Sequence, residues 1–95
     1  MKKVIFKYDL RINDRTFLVL PRGSIPLHVD EQNGVIRLWV EQDKDPDPEE
    51  GIRARAFHVR PTGEPFECGL VDTYIGTVKV IQGAEIGHVY EVSFQ

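Results

Sequence analysis

Residues 27–40, LHVDEQNGVIRLWV, set an Asn-Gly pair between two segments of alternating polarity. Both central residues of a type I′ turn need positive φ, which Asn and Gly reach at least cost. Asn33-Gly34 therefore predicts a two-residue hairpin. Counting outward, Gln32 faces Val35, Glu31 faces Ile36, Asp30 faces Arg37, Val29 faces Leu38, His28 faces Trp39 and Leu27 faces Val40. Side chains alternate between the faces of a strand, so Leu27, Val29, Ile36, Leu38 and Val40 share one face. His28, Asp30, Arg37 and Trp39 share the other. A one-residue slip would scatter both sets, so the pattern specifies register as well as location.

The same period runs through most of the chain. Val4, Phe6 and Tyr8 alternate with Lys3, Ile5 and Lys7, predicting a strand over 3–8. RTFLVL (15–20) predicts a second strand, ended by Pro21-Arg22-Gly23. The turn signal Asn13-Asp14 between them predicts that these strands pair with each other. EQDKDPDPEE (41–50) breaks every period with two prolines and six acids, predicting an exposed acidic loop over about 41–51. That loop holds the only plausible helical turn.

IRARAFHVR (52–60) resumes as a strand, with Arg53, Arg55, Phe57 and Val59 on one face and Ile52, Ala54, Ala56 and His58 on the other. A second loop is expected over about 61–72. Residues 73–94 read as a long hairpin turning near Gln82-Gly83-Ala84, with Gly76 and Gly87 inside its strands as signs of bulges or close backbone approach. The expectation is a single β domain over residues 1–95. Its fold class is mainly β: a compact antiparallel sandwich or small barrel of about seven strands.

Charge and composition narrow the function classes. A net charge of −3 argues against general attraction to nucleic acid or to anionic membrane, and no strong nucleic-acid signature is present. Val4-Ile5-Phe6 is too short for a signal-peptide core, and no apolar run approaches the ~20 residues of a membrane span. One cysteine, Cys68, excludes an internal disulfide. A soluble cytoplasmic protein without a membrane partner is expected.

No motif names a reaction. His28, His58 and His88 lie 30 residues apart on different strands, without the short spacing of a zinc site. Asp43, Asp45 and Asp47 resemble the start of a calcium loop, but Pro48 and Ala54 stand where such a loop needs glycine and a bidentate glutamate. Cys68 sits beside Glu67 with no base nearby, and neither Ser24 nor Ser93 lies in a nucleophile elbow. No metal, no cofactor and no catalysis are expected.

Binding is the better-supported class. His28 beside Trp39 and Asp30 beside Arg37 make an aromatic platform with a flanking cation, suited to stacking a base or a partner's side chain. The plain structural reading is a tryptophan covered by a loop or another chain, next to a cross-strand ion pair. Arg53 and Arg55 share a face at the spacing of a two-pronged grip on phosphate or carboxylate. Their plain reading is a pair of solvated charges that protect a strand edge. These six residues are the candidate ligand or partner site: His28, Asp30, Arg37, Trp39, Arg53 and Arg55.

The segments KVIFKYDL, LPRG, LHV, EQNG, LWV, YIGTVKV and HVYEV occur here in order. In that combination the chain resembles a family of small β proteins of unknown function encoded by phages and prophages. Members carry a G-T-G-H-like step where this chain reads HVRPTGEPF, so only Thr62-Gly63 remains of it. The resemblance implies a phage accessory protein in the host bacterial cytoplasm, acting by binding and countering host defence. Its partner would be a small nucleotide signal, sequestered, or a host defence protein, occupied. A homo-oligomer covering the Trp39 face or a strand edge is expected. The alternative is a structural or assembly protein of the phage whose Trp39 face is a subunit contact.

Overall fold

The computed structural model describes residues 2–49, 51–80 and 85–93. It contains seven strands: β1 (Lys3–Leu10), β2 (Arg15–Pro21), β3 (Ile25–Gln32), β4 (Val35–Asp43), β5 (Ile52–Pro61), β6 (Thr73–Val80) and β7 (Glu85–Val92). All strand pairs are antiparallel. They form sheet A, in the order β1-β4-β3, and sheet B, in the order β2-β5-β7-β6. Extents of 42 × 31 × 15 Å are those of two stacked layers, so the fold is a sandwich rather than a closed barrel. No helix occurs among the described residues, the acidic loop included.

The hairpin forms as its sequence dictates. Asn33 and Gly34 take φ of 53° and 81°, the pair of positive values a type I′ turn requires. Glu31 closes the turn by accepting a hydrogen bond from the Gly34 N–H. The register holds from Gln32↔Val35 to His28↔Trp39 and then shifts. Pro26, not Leu27, faces Val40. Proline has no N–H to give the ladder, so the strand bulges, and Leu27 leaves the core to lie 46% exposed.

Two further expectations are corrected. β1 and β2 do not pair; β1 pairs with β4 and β2 with β5. Asn13-Asp14 is instead a corner between sheets. Asn13 has a φ of 58°, its N–H donates to the Val59 carbonyl at 2.8 Å, and the Asp14 carbonyl accepts from the Val59 N–H. The turn's polar groups are consumed by β5, so no tight hairpin closes there. β4 also runs to Asp43, inside the segment expected to be loop. Lys3 donates to Asp43 at 2.7 Å, and Tyr8 Oη donates at 2.6 Å to Gln42, a buried side chain. The acidic loop proper is 44–51. The expected turn at Gln82-Gly83-Ala84 lies outside the described residues.

The core is drawn from both sheets. Leu20, Leu38, Val40, Phe57, Val59 and Val89 are the largest side chains with essentially no exposure. Each contributes roughly 1.5–3 kcal/mol by leaving water. The sheets approach closely at Gly76, where a Cβ would stand 2.7 Å from Val29 Cγ2 of sheet A, and within sheet B a Cβ on Gly87 would stand 2.6 Å from Val59 Cγ1 of the neighbouring strand. Both glycines make room for a valine, the physical meaning of their place inside strands.

Candidate functional site

The six candidate residues fall into two places. His28, Asp30, Arg37 and Trp39 lie on the outer face of sheet A. Trp39 is on the central strand, with Lys7 of β1 and His28 of β3 as its cross-strand neighbours. The His28 and Trp39 rings are tilted at 40°, with centroids 6.0 Å apart. In the next row Ile5 and Ile25 flank Glu41 and are 55% and 51% exposed.

The charges around Trp39 are largely satisfied within the face. Lys3 pairs with Asp43, and Lys7 donates to Gln32 at 2.9 Å. Asp30 does face Arg37 in the register, but the ion pair expected between them is not made. Arg37 Nε lies 2.9 Å from Asp9 Oδ1, at an angle outside that of a directed hydrogen bond. Asp30 instead sits 3.7 Å from His28 Nε2. Arg37 has carboxylates on both sides, and the one from β1 takes it. The result is a face on which Trp39, Ile5 and Ile25 are interleaved with side chains of both charge signs.

Arg53 and Arg55 lie on sheet B, so the structure does not bring them to Trp39. Nor do they form a two-pronged grip. Arg55 holds Glu91 through Nε and Nη2, both at 2.6 Å, and its Nη1 donates to the Ser24 carbonyl. That fork is committed to tying β5 to β7 and to the start of β3. Arg53 and Arg22 both line a groove of about 410 Å³ formed by the β2–β3 turn, the start of β5 and the end of β7, which Glu91 also lines.

A second constellation escaped the sequence reading. The loop over 61–72 folds onto the outer face of sheet B. There Arg60 is stacked between Phe66 and Tyr90, its guanidinium carbon 3.8 Å and 4.6 Å from the ring centroids. Arg60 Nη2 donates to Asp72 at 2.8 Å, while its Nε and Nη1 have no hydrogen-bond partner among the described residues. The aromatic faces take up that charge. Asp72 also accepts from the Gly69 N–H, and its carboxyl is held below the usual carboxylate range, chiefly by the Arg60 hydrogen bond.

Beside it, His88 meets hydroxyls at both ring nitrogens, Thr62 at 2.7 Å and Thr77 at 3.1 Å, and Thr77 is bonded in turn to Tyr74. The period of β5 and β7 places His58, Arg60, His88 and Tyr90 on one outer face, which was readable. Phe66 and Asp72 carry no period, so nothing local announced that the loop returns. A loop does wrap a sheet face here, but it covers sheet B; Trp39, on sheet A, is half-buried among its strand neighbours.

Among the described residues, no group of three or more His, Cys, Asp or Glu side chains is placed to hold a metal ion. No helix among them is long and apolar enough to cross a membrane.

The model of a protein family described as a domain of unknown function, DUF7352, matches residues 1–95, and the chain belongs to that family. No curated protein and no solved structure matches the chain.

Proposed function

We propose that this chain is a non-catalytic binding protein, carried by a phage or prophage, that occupies a host defence protein in the bacterial cytoplasm through the outer face of sheet A. One observation carries the reading: Trp39, half-buried between Lys7 and His28 on the central strand of sheet A, shares its outer face with the exposed Ile5 and Ile25 of the next row. Ile5, Ile25 and Trp39 supply apolar surface around Glu41, and Lys3 and Lys7 are already engaged by Asp43 and Gln32 within the face. Interfaces are dominated by tryptophan-type anchors inside polar rims. The partner surface this fits is apolar in part and close to neutral.

A sequestered nucleotide is the second reading, and the groove lined by Arg22 and Arg53 favours it. It draws no support from Trp39, because the stacking ring and the free cations are on different sheets. The structural alternative, in which the Trp39 face is a contact between copies in a phage assembly, is separated from both by experiment.

The test compares wild type, Trp39→Ala and the double variant Arg22→Ala/Arg53→Ala, each immobilised and exposed to bacterial lysate and to a nucleotide panel. The reading requires a protein bound by wild type and by the arginine variant, lost with Trp39→Ala, and reconstituted from purified components. A nucleotide retained by wild type and Trp39→Ala but lost in the arginine variant would replace it with the second reading. Dissociation of an oligomer by Trp39→Ala alone, with nothing else captured, would establish the structural alternative.

A further inference from the structure

We propose that β2 is the edge through which two copies of this chain join, pairing antiparallel with β2 of the second copy so that their B sheets become continuous. A sheet edge presents a row of unpaired N–H and C=O groups, which proteins ordinarily protect with charge, proline, bulges or cover. Three of the four edges of this sandwich are protected in those ways. β1 carries Lys3 and Lys7. β3 is interrupted by Pro26 and the bulge beside it, and packs on β6 where Val29 meets Gly76. β6 carries Lys79 and has its own register shift between Tyr74 and Gly76.

β2 carries such devices only at its two ends, Arg15 and Pro21. Residues 16–20, Thr-Phe-Leu-Val-Leu, contain no charge, proline or glycine and pair with β5 without irregularity. Phe17 and Val19 point to the outer face and are 53% and 61% exposed.

The edge is also complementary to itself. A two-fold axis through Leu18 sets Phe17 opposite Val19 of the second copy and Thr16 opposite Leu20. Arg15 then faces Pro21, and at the two ends Asp14 faces Arg22, both exposed. An aromatic residue opposite a β-branched one is a favourable cross-strand pair, and the end charges meet with opposite sign. The symmetry makes each contact twice, as in an isologous dimer. The inference does not depend on Trp39, whose face is on the other sheet.

Sedimentation and native mass spectrometry of the full chain are expected to show a dimer. Val19→Lys should give a monomer with an unchanged β spectrum. Arg22→Asp should weaken the dimer, and adding Asp14→Arg should restore it. In a Cys68→Ser background, Leu18→Cys should oxidise to a covalent dimer, because residues opposite across a strand pair stand about 5 Å apart, within disulfide reach. Thr16→Cys alone should not cross-link, whereas mixing it with Leu20→Cys should. A monomer at every concentration overturns the proposal. So does a dimer that fails to cross-link through Leu18→Cys, whether or not Val19→Lys folds.

Discussion

Arg60 Nη2 lies 2.8 Å from Asp72 Oδ2, with the two side chains only 5% and 4% exposed. Arg60 is the penultimate residue of β5, whereas Asp72 precedes β6, and the loop between them brings Phe66 down over the guanidinium. Stripping one partner from a buried pair leaves the other charge without its counter-ion, which costs more than the pair itself contributes.

Asp72→Asn is therefore expected to destabilise the protein by roughly 2 kcal/mol at neutral pH, toward the low end because the cover is a single loop. The folded carboxyl titrates below its ordinary value of 3.8, so its contribution is fully present above that pH and is lost as pH falls through the folded pKa. Urea midpoints of wild type and variant should thus differ at neutral pH and converge in strong acid. A gap that persists in acid would mean that the pair's charge is not what stabilises the loop.

His58 behaves with the same sign in a higher window. It lies on the outer face of sheet B, opposite Arg15 of β2 and Tyr90 of β7. Burial first, then Arg60 and Arg15, push its imidazole below the ordinary 6.5, against weaker opposing pulls from Asp14 and Asp72. The stability that neutral His58 contributes is complete above pH 6.5 and is lost as pH falls through the folded pKa. Wild type should lose urea resistance as the pH drops below neutrality, and His58→Gln should show a shallower slope there. Equal slopes would sink this account.

Gly87 tests the packing of side chains on the inner face of sheet B. An alanine there would drive its Cβ against Val59 Cγ1, with Ile36 Cδ1 of the other sheet 3.7 Å away. Overpacking of this kind costs about 1–3 kcal/mol. Val59→Ala removes the obstructing methyls, so the double variant Gly87→Ala/Val59→Ala should be more stable than the sum of the two single losses predicts. Additive losses in thermal or urea unfolding would show that the backbone moves aside instead.

Strand positions, the hairpin and its type I′ turn were legible because each rests on local rules: period-two alternation, and the φ values that Asn33 and Gly34 tolerate. The apolar face of the hairpin was legible for the same reason, except at Leu27, where the missing N–H of Pro26 shifted the ladder by one residue. Half of the candidate site was legible too. Counting pairs outward from the turn puts His28 beside Trp39, and the structure does so. The partner of Arg37 was not, because Asp9 arrives from a third strand whose place in the sheet no local pattern announces.

The amino-acid sequence by itself determined the class of fold, the alternation that separates inner from outer faces, and the register next to the tight turn. These depend on residues close in the chain and on side chains pointing to opposite faces of a strand. Only the tertiary structure decided that β1 and β2 part into different sheets, that Arg55 is held by Glu91 and not free for a ligand, and that the loop over 61–72 covers sheet B and not Trp39. Periodicity tells a residue which face it takes. It cannot tell which strand lies across, and charges and loops are settled by that neighbour.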